Sequence, residues 1–348
     1  MAASRYAHLS APDPAWLSVA EKHAPLDALA AEVYRLPLAE FRKVPYRPSP
    51  LPSNVPQPDT DITIRTDSAT ARDGASIGLR IYAPVGEAKE KRPLFYNIHG
   101  GGWAVGTTET EEAQNRFVAA RNGAVVVSVD YRLAPEHPFP TAIHDSMDGL
   151  QWCLEHASEL GVDTDRIVLG GGSAGANIVA AMTLLLRDDA PLKGQFIVIG
   201  QVLNIPVTCH PSHSPSAKYE LLSYEQNKHV PLVDAERMHI YWNHYIPAAE
   251  AGSLLASPLL ASSLANLPPA LVQVAGMDPL RDGGLAYAEA LKSAGVATTL
   301  KIYPGMPHAF YVYPDLEPSQ QYFDTVVEWI ASLGRNKVQG EETHIINF

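Results

Sequence analysis

The sequence predicts an α/β fold in which helices cover both faces of a mostly parallel, eight-stranded β-sheet. Short apolar runs rich in branched side chains, such as residues 124–129 and 166–169, have the composition of buried strands. They alternate along the chain with longer segments of helical periodicity, and this alternation is typical of parallel sheets. A composition of 46% hydrophobic and 18% charged residues indicates a globular chain.

The N-terminal residues 1–58 are expected to form a helical piece of their own. Larger apolar residues recur at roughly helical spacing in residues 12–43, which predicts two short amphipathic helices. Residues 45–58 contain six prolines and predict an extended linker, because proline interrupts a helix. The main domain then spans residues 59–340, followed by a tail at 341–348.

Eight strands and five helices are predicted in the regular part of the main domain. The strands are residues 62–65, 77–83, 93–98, 124–129, 166–169, 196–203, 271–275 and 298–303. The helices are residues 109–121, 141–160, 174–187, 284–293 and 319–333. We expect the first two strands to form an antiparallel edge of the sheet. Residues 206–267 interrupt the alternation with a single helix near 234–245, and an insertion of this length predicts a lid or binding element.

Charge and composition argue against several classes of function. A formal net charge of -12 disfavours nucleic acid and anionic membrane surfaces as partners. Two cysteines do not suggest a disulfide framework. We find neither a secretory signal nor a run long enough to span a membrane, and we therefore expect a cytoplasmic protein. The sequence contains no G-x-x-x-x-G-K-[ST] motif and no G-x-G-x-x-G motif together with the acidic partner that dinucleotide binding needs, so no cofactor is expected.

A glycine-rich turn between a predicted strand and a predicted helix contains the pattern G-x-S-x-G, at Gly171–Gly175. A serine at such a sharp turn exposes its hydroxyl, and small neighbours let strand and helix approach closely. The helix N-terminus behind it favours the negative charge that develops as a serine attacks a carbonyl. Ser173 is therefore the candidate nucleophile; a turn that merely packs is the alternative interpretation.

Three consecutive glycines follow the predicted strand 93–98, in the sequence H-G-G-G-W at residues 99–103. Glycines leave backbone N–H groups uncovered and let the chain come close to a substrate. The N–H groups of Gly101, Gly102 and Ala174 would then form an oxyanion hole. A flexible loop is the alternative.

A base and its acidic partner are also expected after strands. Asp278 follows the strand 271–275, at the edge where parallel sheets bind ligands, and it can orient a histidine. Asp282 is the weaker candidate, since it suits a helix N-cap at least as well. His308 is chosen among 13 histidines because the order Ser173, Asp278, His308 is that of the α/β-hydrolase fold.

Four stretches together resemble the hormone-sensitive-lipase group of α/β-hydrolases, also called family IV bacterial-type esterases. They are His99–Gly102, Asp130–Pro140, Gly171–Gly175, and Asp278–Asp282 with His308. The resemblance implies that Ser173 is the nucleophile, His308 the base and Asp278 its partner. It also implies that the N-terminal helices and residues 206–267 form a cap over the acyl pocket. Short- to medium-chain acyl esters are the substrates that it suggests, and a homodimer is a candidate assembly.

Two positions depart from the family pattern. The family often has an acidic residue before the serine, where this chain has Gly172, and a glycine where it has Ala176. Both are small residues that preserve the turn, so they bear on substrate preference rather than on the triad. The stretch Asp130–Pro140 carries no obvious reactive group and is expected to be scaffold, with Arg132 paired to Asp145.

Other candidate sites are weaker. Trp103, Met277 and Met306 adjoin the candidate catalytic positions, and they either line the substrate pocket or belong to the core. The sequence C-H-P-S-H at residues 209–213 carries metal-capable side chains, but its spacing matches no established zinc pattern, so no metal is expected.

These observations predict a cofactor-independent serine carboxylesterase that acts on a small acyl ester. Acyl transfer to another alcohol or amine, or cleavage of an amide or lactone, would use the same residues, and the sequence does not separate these reactions. A small-molecule receptor is a rival from another class. Plant gibberellin receptors are similar to this family but have lost the catalytic histidine, whereas His308 is present here.

Overall fold

An eight-stranded sheet forms the centre of the computed structural model, which describes residues 4–44, 47–188 and 196–333. The strands are β1 (Ile62–Thr70), β2 (Ser76–Pro84), β3 (Arg92–Ile98), β4 (Val125–Asp130), β5 (Val162–Gly172), β6 (Val198–Asn204), β7 (Ala270–Met277) and β8 (Thr298–Pro307). They lie in the order β1-β2-β4-β3-β5-β6-β7-β8. Strand β2 pairs antiparallel with β1 and β4, and the other neighbouring pairs are parallel. The predicted sheet and its antiparallel edge are confirmed.

Helices cover both faces of this sheet. They are α1 (Pro14–Tyr34), α2 (Leu38–Phe41), α3 (Glu112–Asn122), α4 (Thr141–Glu155), α5 (Ala157–Leu160), α6 (Ala174–Asp188), α7 (Ser223–Gln226), α8 (Ala235–Tyr245), α9 (Arg281–Ser293) and α10 (Glu317–Leu333). One core cluster joins the sheet to α4, α6 and α9, and a second joins it to α3 and α10. Alternate residues of β3 divide between the two clusters, Tyr96 in the first and Phe95 in the second, because successive side chains of a strand point to opposite faces.

The N-terminal piece differs from the two short helices that the sequence predicted. Helix α1 is 21 residues long, and the four-residue α2 follows it. The Asp13 side chain accepts the N–H of Ala15 and so caps α1, and the helix continues past Pro25. Trp16 is the buried residue of α1, and farther along the helix Lys22 pairs with Asp315 at 2.6 Å and Asp27 accepts the Tyr313 hydroxyl at 2.8 Å. These separate contacts, rather than a continuous apolar stripe, attach α1 to the body.

Three predicted helix boundaries were also wrong. The helix expected at 141–160 is divided into α4 and α5, and Gly161, with a φ of 66°, ends α5. Helix α3 begins at Glu112 rather than at residue 109. Helix α9 begins at Arg281 with Leu280 as its N-cap, so Asp282 lies inside the first turn and is not the cap. Helix ends depend on local backbone geometry that apolar spacing does not record.

Residues 206–267 form no strand, as predicted, and fold into α7, α8 and short turns between β6 and β7. The Asn177 side chain in α6 ties this segment to the body by donating to the carbonyls of Val207 at 3.0 Å and Ala256 at 2.9 Å. Trp242 of α8 packs against Trp103, with ring centroids 4.5 Å apart. The segment is therefore anchored through both polar and aromatic contacts.

Three further predictions concern the pair of Arg132 and Asp145, membrane-spanning helices and the C-terminal tail. Arg132 pairs with Asp145 through two hydrogen bonds of 2.9 Å and 2.8 Å, as expected of a scaffold pair. Within the described ranges, no helix combines the length and apolar character that crossing a membrane requires. The predicted tail at 341–348 lies outside the described residues, as does the end of the main domain from residue 334.

Candidate active site

Loops that follow four parallel strands carry the candidate residues. Residues 99–103 follow β3, Ser173 follows β5, Asp278 follows β7 and His308 follows β8. The carboxyl ends of parallel strands lie at the same edge of a sheet, so side chains distant in sequence converge there. This edge is where open α/β sheets bind their ligands.

Ser173 occupies a turn whose backbone conformation is strained. Its φ of 53° lies in the left-handed region, which costs a non-glycine residue on the order of 1–3 kcal/mol. A Cβ at Gly171 would collide with the backbone of Gly175, and one at Gly175 with that of Ile98. The Ser173 N–H donates to the Asn204 carbonyl at 2.8 Å and fixes the turn against β6. The glycines on both sides of Ser173 are therefore required by the close packing of strand, turn and helix.

Three of the predicted side chains form a continuous chain of hydrogen bonds. The Ser173 Oγ lies 3.0 Å from the His308 Nε2, and the His308 Nδ1 lies 2.6 Å from the Asp278 Oδ2. With Nδ1–H donating to the carboxylate, Nε2 is left to accept the serine hydroxyl. His308 is 3% exposed and Asp278 1%, so these hydrogen bonds are shielded from water. The arrangement can remove a proton from Ser173 and hold the resulting imidazolium against a carboxylate.

The Asp278 carboxylate is fixed by the backbone around it. Its Oδ1 accepts the N–H of Leu280 at 2.8 Å, and the Asn227 side chain donates to its carbonyl at 2.9 Å. The rival acid, Asp282, turns elsewhere: it pairs with Arg281 at 2.7 Å and accepts the N–H groups of Leu222 and Ser223. Asp282 anchors the segment 206–267 and does not approach His308 through any of these contacts.

The glycine loop after β3 has backbone angles that only glycine adopts freely. Gly101 has a φ of 117° and Gly102 a φ of 58°. In the described part of the chain, no hydrogen bond uses the N–H of either residue. Ala174 is the first residue of α6, and the first turn of a helix leaves its N–H groups without an intrahelical partner. These three N–H groups are thus available to a ligand.

His99 precedes the three glycines of this loop and supports the loop as a buried, neutral ring. It stacks on Tyr131 with centroids 4.2 Å apart, and the Tyr131 hydroxyl donates to the His99 carbonyl at 3.0 Å. Burial lowers the pKa of His99 to about 4, so its imidazole carries no charge at neutral pH. A neutral buried ring provides packing without placing a positive charge beside the candidate oxyanion site.

The three predicted pocket residues are all buried. Trp103 is fully enclosed and stacks on Tyr245, with ring centroids 4.2 Å apart and an interplanar angle of 1°. Met277 and Met306 belong to the core cluster on the α10 side of the sheet. Their contact with a substrate stays a prediction, and their packing role is evident from these neighbours.

Two residues of the site were missed by the sequence analysis. A Cβ at Gly102 would overlap the ring of Tyr241 in α8, so this aromatic side chain lies directly on the glycine loop. Glu111, just before α3, accepts the Gly100 N–H at 2.9 Å although it was assigned to a helix. The available signal for Glu111 was Gly172, which stands where the family often has an acidic residue and so suggested that a carboxyl group could come from elsewhere. Nothing in the sequence indicated Tyr241.

The metal-capable side chains at residues 209–213 are engaged in other contacts. The His210 Nδ1 accepts the Ser212 N–H at 3.1 Å, and the His213 Nε2 lies 2.7 Å from the Ala248 carbonyl. Across residues 4–44, 47–188 and 196–333 the structure contains no group of three or more histidine, cysteine or acidic side chains placed to hold a metal ion.

Comparisons with known proteins agree with this architecture. The profile of the alpha/beta hydrolase fold family matches residues 95–312. The chain is 35% identical to the carboxylesterase NlhH of Mycobacterium tuberculosis over 301 residues, 85% of this chain and 88% of the relative. It is 39% identical to an arylesterase of Saccharolobus solfataricus over 236 residues, 68% and 73% of the two chains. A solved structure of vibralactone cyclase superimposes with a TM-score of 0.81 at 29% identity and covers 95% of this chain and 97% of that one.

The resemblance drawn from four sequence motifs is therefore confirmed. The matched region runs from within β3 to beyond β8 and contains all six residues of the predicted triad and oxyanion hole. This chain belongs to the α/β-hydrolase fold family, and within it to the hormone-sensitive-lipase-like esterases.

Proposed function

We propose that this protein is a serine carboxylesterase that hydrolyses short- to medium-chain acyl esters through an acyl-enzyme intermediate. The observation that carries the proposal is the chain of hydrogen bonds from Ser173 through His308 to Asp278, with distances of 3.0 Å and 2.6 Å. Ser173 lies 135 positions from His308 and Asp278 lies 30 positions from it, so the fold brings the three side chains together. Their alignment supports nucleophilic catalysis.

In the first half of the reaction the Ser173 Oγ attacks the ester carbonyl carbon while the His308 Nε2 takes its proton. Asp278 stabilises the imidazolium that forms and keeps the ring in the productive orientation. His308 then gives the proton to the leaving alkoxide, and the acyl group stays on Ser173. In the second half His308 activates a water molecule, which releases the acid and restores the serine.

The oxyanion of each tetrahedral intermediate needs hydrogen-bond donors. The N–H groups of Gly101, Gly102 and Ala174 are the candidates, because they lie on the two turns that adjoin Ser173 and are free of other partners in the described residues. One such donor contributes on the order of 3 kcal/mol to the lowering of the barrier in acyl transfer. The left-handed backbone of the glycine loop is consistent with this use.

Substitution of the nucleophile tests the proposal directly. Ser173→Ala should lower kcat for a p-nitrophenyl acyl ester by at least roughly 10⁴-fold, because no other group can form the acyl-enzyme. Circular dichroism and thermal unfolding would establish that the variant is folded. Hydrolysis that persists in folded Ser173→Ala would contradict the proposal.

A second candidate reaction is acyl transfer to a hydroxyl other than that of water, including ring closure. It is favoured by the similarity to a structure that is named as a cyclase, at a TM-score of 0.81. Both reactions share the acyl-enzyme and differ only in the nucleophile that releases it. Product analysis with a competing alcohol separates them: the hydrolase proposal expects the free acid as the main product.

Substrate choice is assigned to the proposed cap, which comprises residues 1–58 and 206–267. Tyr241 of this cap touches Gly102, and Asn227 donates to the Asp278 carbonyl, so the segment adjoins both halves of the candidate site. A panel of p-nitrophenyl esters of increasing acyl length tests the proposed chain-length preference. Highest kcat/KM for short to medium chains is expected, and a preference for long chains would contradict it.

The proposal also covers the cellular location and the partners of the protein. We place the protein in the cytoplasm, with a small acyl ester as its partner and without nucleic acid, in keeping with the net charge of -12. A homodimer is the assembly that we would test first, by light scattering.

A further inference from the structure

A buried carboxyl group lies beside the nucleophile turn, at the position where the family pattern and this chain differ. Glu111 precedes α3 and is almost completely buried. Its Oε1 accepts the N–H of Gly100, the residue that begins the glycine loop, at 2.9 Å. A buried glutamate is costly unless its oxygens find partners, so its presence here needs an explanation.

Capping of α3 does not supply that explanation. Glu111 is the N-cap residue of α3, yet its side chain accepts no N–H from that helix. Glutamate is also not among the preferred N-cap residues. The side chain instead reaches across to the loop after β3, so its role concerns that loop.

The carboxyl group fills the space that a side chain at residue 172 would occupy. A Cβ built on Gly172 would lie 2.9 Å from the Glu111 Oε1 and 3.8 Å from its Cδ. Gly172 does not have a positive φ, so its backbone conformation is open to other residues. The nearest neighbour of a side chain at 172 is therefore the carboxyl group of Glu111, with the Tyr311 hydroxyl farther away at 3.7 Å.

The backbones of the nucleophile turn and the glycine loop also meet at this point. A Cβ on Gly100 would lie 2.9 Å from the Gly172 carbonyl oxygen and 3.4 Å from the Glu111 Oε1. A group that holds the Gly100 N–H thereby sets the position of the following two glycines relative to Ser173.

We propose that Glu111 is the positioning residue of the glycine loop. Its carboxyl group occupies the space of the acidic side chain that the family often carries just before the nucleophile. The inference rests on the proposed esterase function and extends it to a residue outside the triad. Glu111 does not touch the substrate; it acts through Gly100 on the N–H groups of Gly101 and Gly102.

Variants that remove the carboxyl group at residue 111 or introduce one at residue 172 test this role. Glu111→Ala should lower kcat roughly ten- to hundredfold while KM changes little, because oxyanion donors act mainly in the transition state. Glu111→Gln keeps the acceptor oxygen and should restore most of that loss. Gly172→Asp alone should also lower kcat, because two acidic groups then share one space.

The double variant Gly172→Asp/Glu111→Ala is the decisive measurement. It should be at least about tenfold more active than Glu111→Ala, since the aspartate would supply the missing acceptor to Gly100. Gly172→Ala/Glu111→Ala is the matched control and should not recover. A double variant that fails to fold, or is no more active than either single variant, overturns the proposal, as does full activity in Glu111→Ala.

Labelling with a fluorophosphonate separates this result from a failure of the proposed function. If Ser173 is not a nucleophile, the wild-type protein neither hydrolyses the ester nor gains the label. If only the role of Glu111 is wrong, the wild type does both and the variants fail to follow the expected order.

Discussion

The candidate catalytic edge of the sheet and the proposed cap hold their side chains in different ways. At the edge, Ser173, Asp278 and His308 each follow a buried parallel strand and are joined by hydrogen bonds of 3.0 Å and 2.6 Å. In the cap, α1 leaves several large apolar side chains in contact with solvent. They include Leu17, Leu26, Leu29 and Tyr34. The edge is fixed by the sheet itself, whereas α1 is attached at a few points.

Within the cap, α8 and α1 also differ from one another. Trp242 and Tyr245 of α8 are fully buried and pack against Trp103, next to the glycine loop. Helix α1 is joined to α8 by the Arg237 guanidinium, which lies 4.3 Å from the centre of the Tyr34 ring. The side chains of α8 are therefore more tightly packed than those of α1, and substitutions in the two helices test this difference.

The largest effect is expected at the catalytic edge. Asp278→Asn should lower kcat by roughly 10⁴-fold, because an amide favours the wrong tautomer of His308 while leaving the geometry intact. Steady-state kinetics with a p-nitrophenyl ester measure the loss. The exposed Asp165→Asn is the control and should retain activity within about twofold. Near-normal kcat in Asp278→Asn would remove Asp278 from the mechanism.

The next effect distinguishes α8 from α1. Trp242→Ala should destabilise the protein by roughly 3–5 kcal/mol, since it leaves a cavity against Trp103. Leu26→Ala, at a side chain that is 66% exposed, should change the free energy of unfolding by no more than about 0.5 kcal/mol. Urea unfolding measures both values. Equal effects of the two substitutions would contradict the difference in packing.

The last prediction concerns the pH dependence of stability. Burial raises the pKa of Glu111 to about 8, although the Gly100 N–H and the Asn97 side chain favour its charged form. The neighbouring phenols of Tyr131 and Tyr322 are neutral in this range, because burial raises their pKa values well above 10. Folding therefore favours the protonated carboxyl group of Glu111.

The sign of the effect follows from proton linkage. The pKa of Glu111 is 4.5 in the unfolded chain and about 8 in the folded protein. Between these pH values the folded protein keeps a proton that the unfolded chain has lost, so the free energy of unfolding falls as pH rises. Relative to Glu111→Gln, the wild type should lose up to about 1.4 kcal/mol for each pH unit in this window. Urea unfolding at pH 5, 6.5 and 8 measures the difference. A constant difference across the three values would contradict a buried, protonated Glu111.

The sheet and the convergence of Ser173, Asp278 and His308 could be predicted from sequence because each depends on short local signals. Buried parallel strands are continuous apolar runs, and glycines mark the turn at Ser173 and the loop before Trp103. The positions of Asp278 and His308 followed from the expectation that functional side chains lie just past strand ends. These signals can be recognised without knowing how the cap folds.

The parts that sequence could not provide depend on contacts between distant segments. Nothing near Glu111 in the chain indicates that its carboxyl group fills the space beside Gly172, since the two residues are 61 positions apart. Helix α1 is longer than predicted, and most of its larger apolar residues face solvent instead of forming the stripe that spacing implied. Likewise, Tyr241 reaches Gly102 only through the tertiary fold of residues 206–267.

The central claim is that Ser173 is a nucleophile activated by His308, and covalent labelling tests it most directly. A fluorophosphonate should add one adduct to the intact wild-type protein, located on the peptide that contains Ser173, and none to folded Ser173→Ala. A wild-type protein that stays unmodified, or a Ser173→Ala variant that is labelled equally well, would contradict the account.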